Sequence, residues 1–243
     1  MEKSSACWLL ESDPLSKLLE SDVYDELLLR QRVNDALRSN LLAFSGGSDL
    51  DHLASFYDIT RLPSEDDEAF RRRVHANIRG WSPGSTDYYR YHALSVSPEV
   101  RDAYADSPEP GRVRVAVLPD ADADSSLIDA VRSHLGRRDV RLISDHLHVV
   151  EATQAPVRIK ARAWTRPDAP PGIVEGLLAS FPERFETARG LGWDVARSWI
   201  IANLHAEGVK RVVLDEPAGD IVIGSDACAA LTDVAISDQG PEW

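Results

Sequence analysis

The chain has 243 residues, long enough for two or three small domains with real cores. Apolar residues make up 43% and charged residues 28%, an ordinary balance for a globular protein. The net charge of −13 argues against a nucleic-acid-binding surface, which needs a cationic footprint, and against an anionic membrane partner.

Asp13-Pro14 reads as a helix start, a capping side chain followed by Pro at the first helical position. Ahead of it, Trp8 to Leu10 are expected to pack a frayed end. From Leu15 onward Leu18, Leu19, Val23, Leu27, Leu29, Val33, Leu37, Leu41 and Phe44 recur mostly at steps of three and four, giving one apolar helical face. A helix from Pro14 to Phe44, with a possible break at Ser21-Asp22, would be ~46 Å long, a length that suggests a bundle or coiled partner. Glu26, Arg30 and Asn34 lie four residues apart along it. Two readings stand side by side: a solvated face with i, i+4 ion pairs, or a polar ladder that fixes register at a helix–helix interface.

Gly46-Gly47 breaks the helix. Ser48-x-x-Asp51 resembles a capping box and opens a short helix over Asp49 to Tyr57. The acidic run Glu65 to Glu68 starts the next helix, expected to reach Ile78 and close at Gly80. Arg71-Arg72-Arg73 behind it is expected to be neutralised by that acidic run rather than to form an anion site. Ser85 caps a helix through Tyr88, Tyr89 and Tyr91, and at least one of these tyrosines is expected to be a contact residue.

After Pro98 the pattern becomes mixed. Strands are predicted at Val100 to Ala105 and Val113 to Leu118, with a turn at Ser107 to Gly111 and a helix from Ser125 to Leu135. His146 to Trp164 alternates over a long span interrupted at Pro156. A helix opens at Pro170-Pro171 and runs to Phe185; Asp194 caps another from Val195 to Ala206. Val209 to Leu214, Asp220 to Ile223 and Ala229 to Ile236 close the chain as strands. The fold class is α+β: a helical N-terminal region over 1–62, a short helical region over 63–96, and two small mixed domains over 97–150 and 151–243.

No reaction centre emerges. His146-x-His148 places two imidazoles on one strand face, but a metal needs three or four convergent ligands. A stand-alone enzyme or metal-binding protein using His146 and His148 is the alternative reading. Asp120-x-Asp122-x-Asp124 matches the opening of a calcium loop, yet Ser125 stands where Gly is needed and Val131 where a bidentate Glu is needed. Ser45 to Asp49 carries no nucleophile elbow, and the chain has no phosphate-binding loop. Cys7 and Cys228 sit at opposite ends, which suggests neither a disulfide framework nor a zinc site and fits a reducing cytoplasm. MEKSSACWLL does not read as a signal peptide, and no apolar run approaches the ~20 residues of a membrane span.

Several stretches carry a family resemblance: LESDPLSKLLE (10–20), ELLLRQRVNDALRSNLLAF (26–44), GSDLDHLASFYDITRL (47–62), DEAFRRRV (67–74), YHALSVSPEVRDAYADSPEPGRVRVAVL (91–118), DVRLISDHLHVVEA (139–152) and GVKRVVLDEPAGDIVI (208–223). With these the sequence resembles the baseplate J-like proteins of contractile phage tails, in order and spacing over residues 10–237. The resemblance implies a structural wedge protein, not an enzyme, with no cofactor. It implies assembly with an I-type baseplate wedge protein, with further copies of itself and with other baseplate and hub proteins, in the bacterial host cytoplasm and then in a virion or tailocin baseplate. It moves the Glu26-Arg30-Asn34 ladder toward an interface made by Glu26, Leu27, Arg30, Val33, Asn34, Leu37, Leu41 and Phe44, with Gly46 and Gly47 as hinge. Family members carry a further helical segment ahead of the position of Leu10, which MEKSSACW does not resemble, so a short form or a missing part of the bundle is expected.

Overall fold

The structure is a computed structural model that describes residues 13–120 and 123–243. The fold is α+β. Among the described residues there are seven helices and six strands, in the order α1 (Pro14–Ser39), α2 (Gly47–Ser55), α3 (Asp67–Arg79), α4 (Thr86–Leu94), β1 (Val100–Glu109), β2 (Arg112–Pro119), α5 (Leu127–Leu135), β3 (His146–Glu151), β4 (Thr153–Thr165), α6 (Ile173–Ala188), α7 (Arg197–Leu204), β5 (Val209–Glu216) and β6 (Ala227–Pro241). The chain divides between Arg61 and Leu62 into two compact units.

The first unit holds α1 and α2. Asp13 caps α1 by accepting from Leu15 N at 3.0 Å, and Pro14 occupies the first turn. The helix runs unbroken through Ser21-Asp22 but stops at Ser39, short of the predicted Phe44. Two polar side chains end it: Asn40 Nδ2 and Ser39 Oγ both donate to the Ala36 carbonyl, at 2.7 and 3.1 Å. Tight turns come next, with Leu41 N to Arg38 O at 3.0 Å and Phe44 N to Leu41 O at 2.9 Å. The predicted capping box at Ser48-x-x-Asp51 does not form. Gly46 is the N-cap and no side chain bonds there; the Asp51 carboxylate instead accepts from Arg61 Nε at 2.9 Å.

In the second unit Asp66 caps α3 through Ala69 N, at 2.7 Å, and Gly80 closes it as expected. The basic triplet is largely neutralised from within. Arg71 pairs with Glu68, and Arg73 makes a two-pronged bond to Glu65 at 2.8 and 2.6 Å. The second pair is buried, with side chains only 4% and 2% exposed, and Glu65 also accepts from Leu62 N at 2.8 Å.

The remainder of this unit is built on two three-stranded sheets. In the first, of order β1-β2-β3, β1 and β2 form an antiparallel hairpin and β2 and β3 are parallel. Pro110-Gly111 makes the hairpin turn between paired Glu109 and Arg112, with Gly111 at φ +78°, so the strands extend into the residues predicted as turn. α4 and α5 supply Tyr89, Ala93, Val131 and Leu135 to a core shared with Ala103, Val115, Val117 and Val149 of the sheet. All three tyrosines of α4 join this core. Tyr89 is buried and donates to Asp145 at 2.5 Å, Tyr88 donates to the Val140 carbonyl at 2.9 Å, and Tyr91 packs alongside; Tyr88 and Tyr91 remain partly exposed.

The second sheet has the order β5-β4-β6, with β4 antiparallel to β5 and parallel to β6. Phe181 and Phe185 of α6 and Ile200 and Leu204 of α7 pack on Val157, Ile159 and Ala161 of β4. Trp193 and Trp199 complete an edge-to-face aromatic group, their ring centroids 4.9 Å apart. The long alternating span predicted as one strand is two, β3 and β4, in different sheets. Its break lies at Ala152, not at Pro156. β5 pairs with β4 only from Lys160 onward, so Pro156 lies where one flank of β4 is open and a missing N–H is tolerated. Asp194 does not cap α7: it accepts from Ile223 N at 2.8 Å, while Asp220 accepts from Arg197 N at 2.7 Å. Residues 220–223 make a single bridge, Val195 to Ile221, instead of a strand. The predicted packing of Trp8 to Leu10 lies outside the described residues.

Two expectations arise for stability. Arg73→Ala removes the two-pronged partner of the buried Glu65 carboxylate and should cost about 3–5 kcal/mol in urea unfolding, whereas Glu65→Leu with Arg73→Met should recover most of that loss. His92, packed between Tyr88 and His134, has its pKa pushed from 6.5 down to about 4, first by burial and then by the neighbouring His134. The unfolded chain therefore binds a proton that the folded chain refuses, and stability should fall as pH drops from about 6.5 toward 4. Urea midpoints across that range should show the slope, and His92→Phe should flatten it.

Candidate functional site

The feature of the first unit that its own fold leaves unused is the surface of α1. The helix has 26 residues, about 39 Å at 1.5 Å per residue, and none of them is buried. Leu27, Val33 and Leu37 are 58%, 59% and 62% exposed, and Leu15, Leu18, Leu19, Val23 and Leu29 are similarly open. Covering one such side chain is worth roughly 1.5–3 kcal/mol, so an apolar line of this length is a strong driving force for association.

Glu26 and Arg30 lie within this apolar line and pair with each other at 2.5 Å. Asn34 continues the line one turn on and is exposed. The expected interface residues on α1, namely Glu26, Leu27, Arg30, Val33, Asn34 and Leu37, are thus on one solvent-facing helix. Leu41 and Phe44 are also exposed, at 52% and 67%, but they sit in the turns after α1 and do not extend its face. Gly46 is extended at φ −148°, while Gly47 takes φ +53°, a left-handed conformation that favours glycine, in open surroundings.

Two family models match the chain. Residues 11–66 match the Baseplate J-like N-terminal domain and residues 82–163 match the Baseplate J-like central domain. The chain belongs to the baseplate J-like family. Baseplate protein J of Escherichia phage P2 is 35% identical over 253 residues, an alignment spanning 96% of this chain and 84% of that protein. A chain in the cryo-EM structure of the anti-feeding prophage (AFP) baseplate, 6-fold symmetrised, superimposes with a TM-score of 0.48 at 16% identity. That superposition covers 72% of this chain and 43% of that one. On the family models and the phage P2 relative, the J-like chain is a baseplate component.

The other candidate residues are not brought together. His146 and His148 are exposed on β3, opposite Arg112 and Arg114 of β2, and among the described residues no group of three His, Cys, Asp or Glu side chains is arranged to hold a metal. Asp124 accepts hydrogen bonds from the Ser125 and Ser126 hydroxyls, which holds its carboxyl below the usual range; Asp122 lies outside the described residues. The Cys228 thiol is buried and its pKa is pushed up by that burial, the opposite of an activated nucleophile, and Cys7 lies outside the described residues.

Some exposed apolar residues of the J-like chain escape any reading by period. Phe56 after α2, Trp81 in the turn after α3, Ile143 before β3 and Val222 are 83%, 86%, 101% and 80% exposed. They stand in loops, where no repeat marks them; a tryptophan inside Trp81-Ser82-Pro83-Gly84 is the one legible signal.

Because α1 contributes nothing to a core, Val33→Glu and Leu37→Glu should leave the urea unfolding free energy, followed by tryptophan fluorescence, within about 0.5 kcal/mol of the parent.

Proposed function

We propose that this chain is a structural wedge component of the baseplate of a contractile phage tail or related injection particle, joining an I-type wedge protein and further copies of itself around the central hub. The observation that carries the reading is α1: a long capped helix with an apolar face and no buried residue of its own. A helix of this kind reaches its stable state only when another chain covers it. Glu26, Leu27, Arg30, Val33, Asn34 and Leu37 form the bundle contact, with Leu41 and Phe44 at its foot.

Gly46-Gly47 is the joint between that bundle and the rest of the chain, and the first functional region extends to about residue 62. The helices over 63–96 and the mixed regions over 97–150 and 151–243 then serve as the parts that link neighbouring wedges. The role is non-enzymatic. Its place is the bacterial cytoplasm during assembly and the tail baseplate, or a tailocin particle, afterwards.

The test uses the parent particle with this gene replaced. Val33→Glu with Leu37→Glu should abolish incorporation of the chain into baseplates and particle yield, while the purified variant keeps the parent's unfolding curve. Normal incorporation of that variant would remove α1 as the assembly contact.

A further inference from the structure

We propose that the outer face of α3 is a docking groove for an acidic segment of another protein, held chiefly by Arg72 and Arg79. The groove belongs wholly to the second unit and makes no use of α1.

α3 buries Phe70, Arg73, Val74 and Ala76. Glu68, Arg72, His75 and Arg79 recur at steps of four, three and four, and so share the opposite face of the helix. With Arg71, and with Arg90 of α4, they line a groove of about 310 Å³. Four arginines and a histidine meet one carboxylate there, on a chain whose net charge is −13.

The arginines are not equivalent. Arg71 is held by Glu68, and Arg90 by Asp102 at 2.9 Å. Arg73, next in sequence, is taken by the buried Glu65. Arg72 and Arg79 pair with no carboxylate among the described residues. Arg79 is exposed, but Arg72 is half-buried, and its Nε is shut off from water without an acceptor. A guanidinium that gives up water at one nitrogen and gains no acceptor is left short of partners. A carboxylate from another molecule, forked across its outer nitrogens, is the group that compensates it.

The layout of charge selects the occupant. Arg72 and Arg79 are seven residues apart, about 10 Å along the helix. A row of this kind suits carboxylates carried along a chain better than one compact anion such as phosphate, which needs donors converging on a point. Arg72 also walls an adjoining hollow of about 420 Å³, whose lining includes Asp66, Glu99 and Asp120. That acidic hollow repels a continuous polyanion such as a nucleic-acid strand. A peptide has no such difficulty: it can set carboxylates over the arginines and a Lys or Arg over the hollow.

The groove is tested in the full chain with a fluorescein-labelled hexaglutamate peptide as probe, followed by anisotropy at low ionic strength, where exposed charges are least screened. The parent should bind the peptide. Arg72→Gln with Arg79→Gln should weaken binding about tenfold or more, and Glu68→Gln, which releases Arg71, should strengthen it. Loss of folding cannot produce that gain. A parent that does not bind, or binding that ignores these substitutions, overturns the proposal. So does a labelled six-residue oligothymidylate that binds as tightly and is lost with the same double variant, which makes the groove a nucleic-acid site.

The parent particle supplies a second readout. Arg72→Glu with Arg79→Glu should block incorporation of the chain into baseplates while the purified variant keeps the parent's urea unfolding curve. Second-site suppressors should convert Asp or Glu of another particle protein to Lys or Arg; suppressors confined to this chain overturn the proposal. Normal incorporation of the Arg72→Glu, Arg79→Glu variant overturns it too and leaves the reading of α1 standing. Normal incorporation of Val33→Glu with Leu37→Glu does the reverse.

Discussion

Residues 146–165 form one nearly continuous extended run that serves two sheets, and Ala152 is the residue at which it changes hands. Ala152 N donates to the Val117 carbonyl at 2.8 Å, extending the pairing of β3 with β2, and Thr153 N donates to the Asp226 carbonyl at 3.1 Å, opening the pairing of β4 with β6. The side chains around the handover keep it closed. Ala152 is buried with Leu118 and Cys228, against Leu191. Arg114 of β2 binds Asp106 of β1 through two nitrogens, at 3.0 and 2.6 Å, and reaches Asp226 at 2.5 Å. That guanidinium holds the Asp106 carboxyl below the usual carboxylate range. Arg101 of β1 adds bonds to the Glu186 and Arg189 carbonyls at the end of α6. One small residue and two arginines therefore fix the relation of two cores that share no strand.

The helices α4 to α7 of the second unit bury apolar side chains against their sheets, and α1 buries none. Both units carry helices with the same kind of period. α5, only nine residues long, buries Leu127, Val131 and Leu135 against the first sheet, while α1, nearly three times as long, buries nothing. A helical period states which residues share a face; it does not state which molecule covers that face. The distinction comes from what is left over once the strands have found their own helices. Here the sheets are covered by α4 to α7, and α1 is the surplus.

The α+β class and most elements are legible in the sequence because they rest on local rules: the Asp13 and Ser85 caps, the Pro14 start, the Gly80 and Gly136 stops, and the alternation in β4. Local reading fails where a competing contact overrides it. The expected Phe44 end of α1 gives way to Asn40 and Ser39 bonding back to Ala36. Asp51 and Asp194, both plausible caps, are taken by Arg61 and by Ile223 N, partners that no window of adjacent residues reveals. The tyrosines of α4 look too many to bury, yet hydroxyl bonds to Val140 and Asp145, roughly 50 residues away, let two of them turn inward. The handover at Ala152 is invisible in the sequence because alternation continues through it; only pairing distinguishes one strand from two. The α1 face itself is legible residue by residue, and its exposure is not, since exposure depends on everything else in the fold.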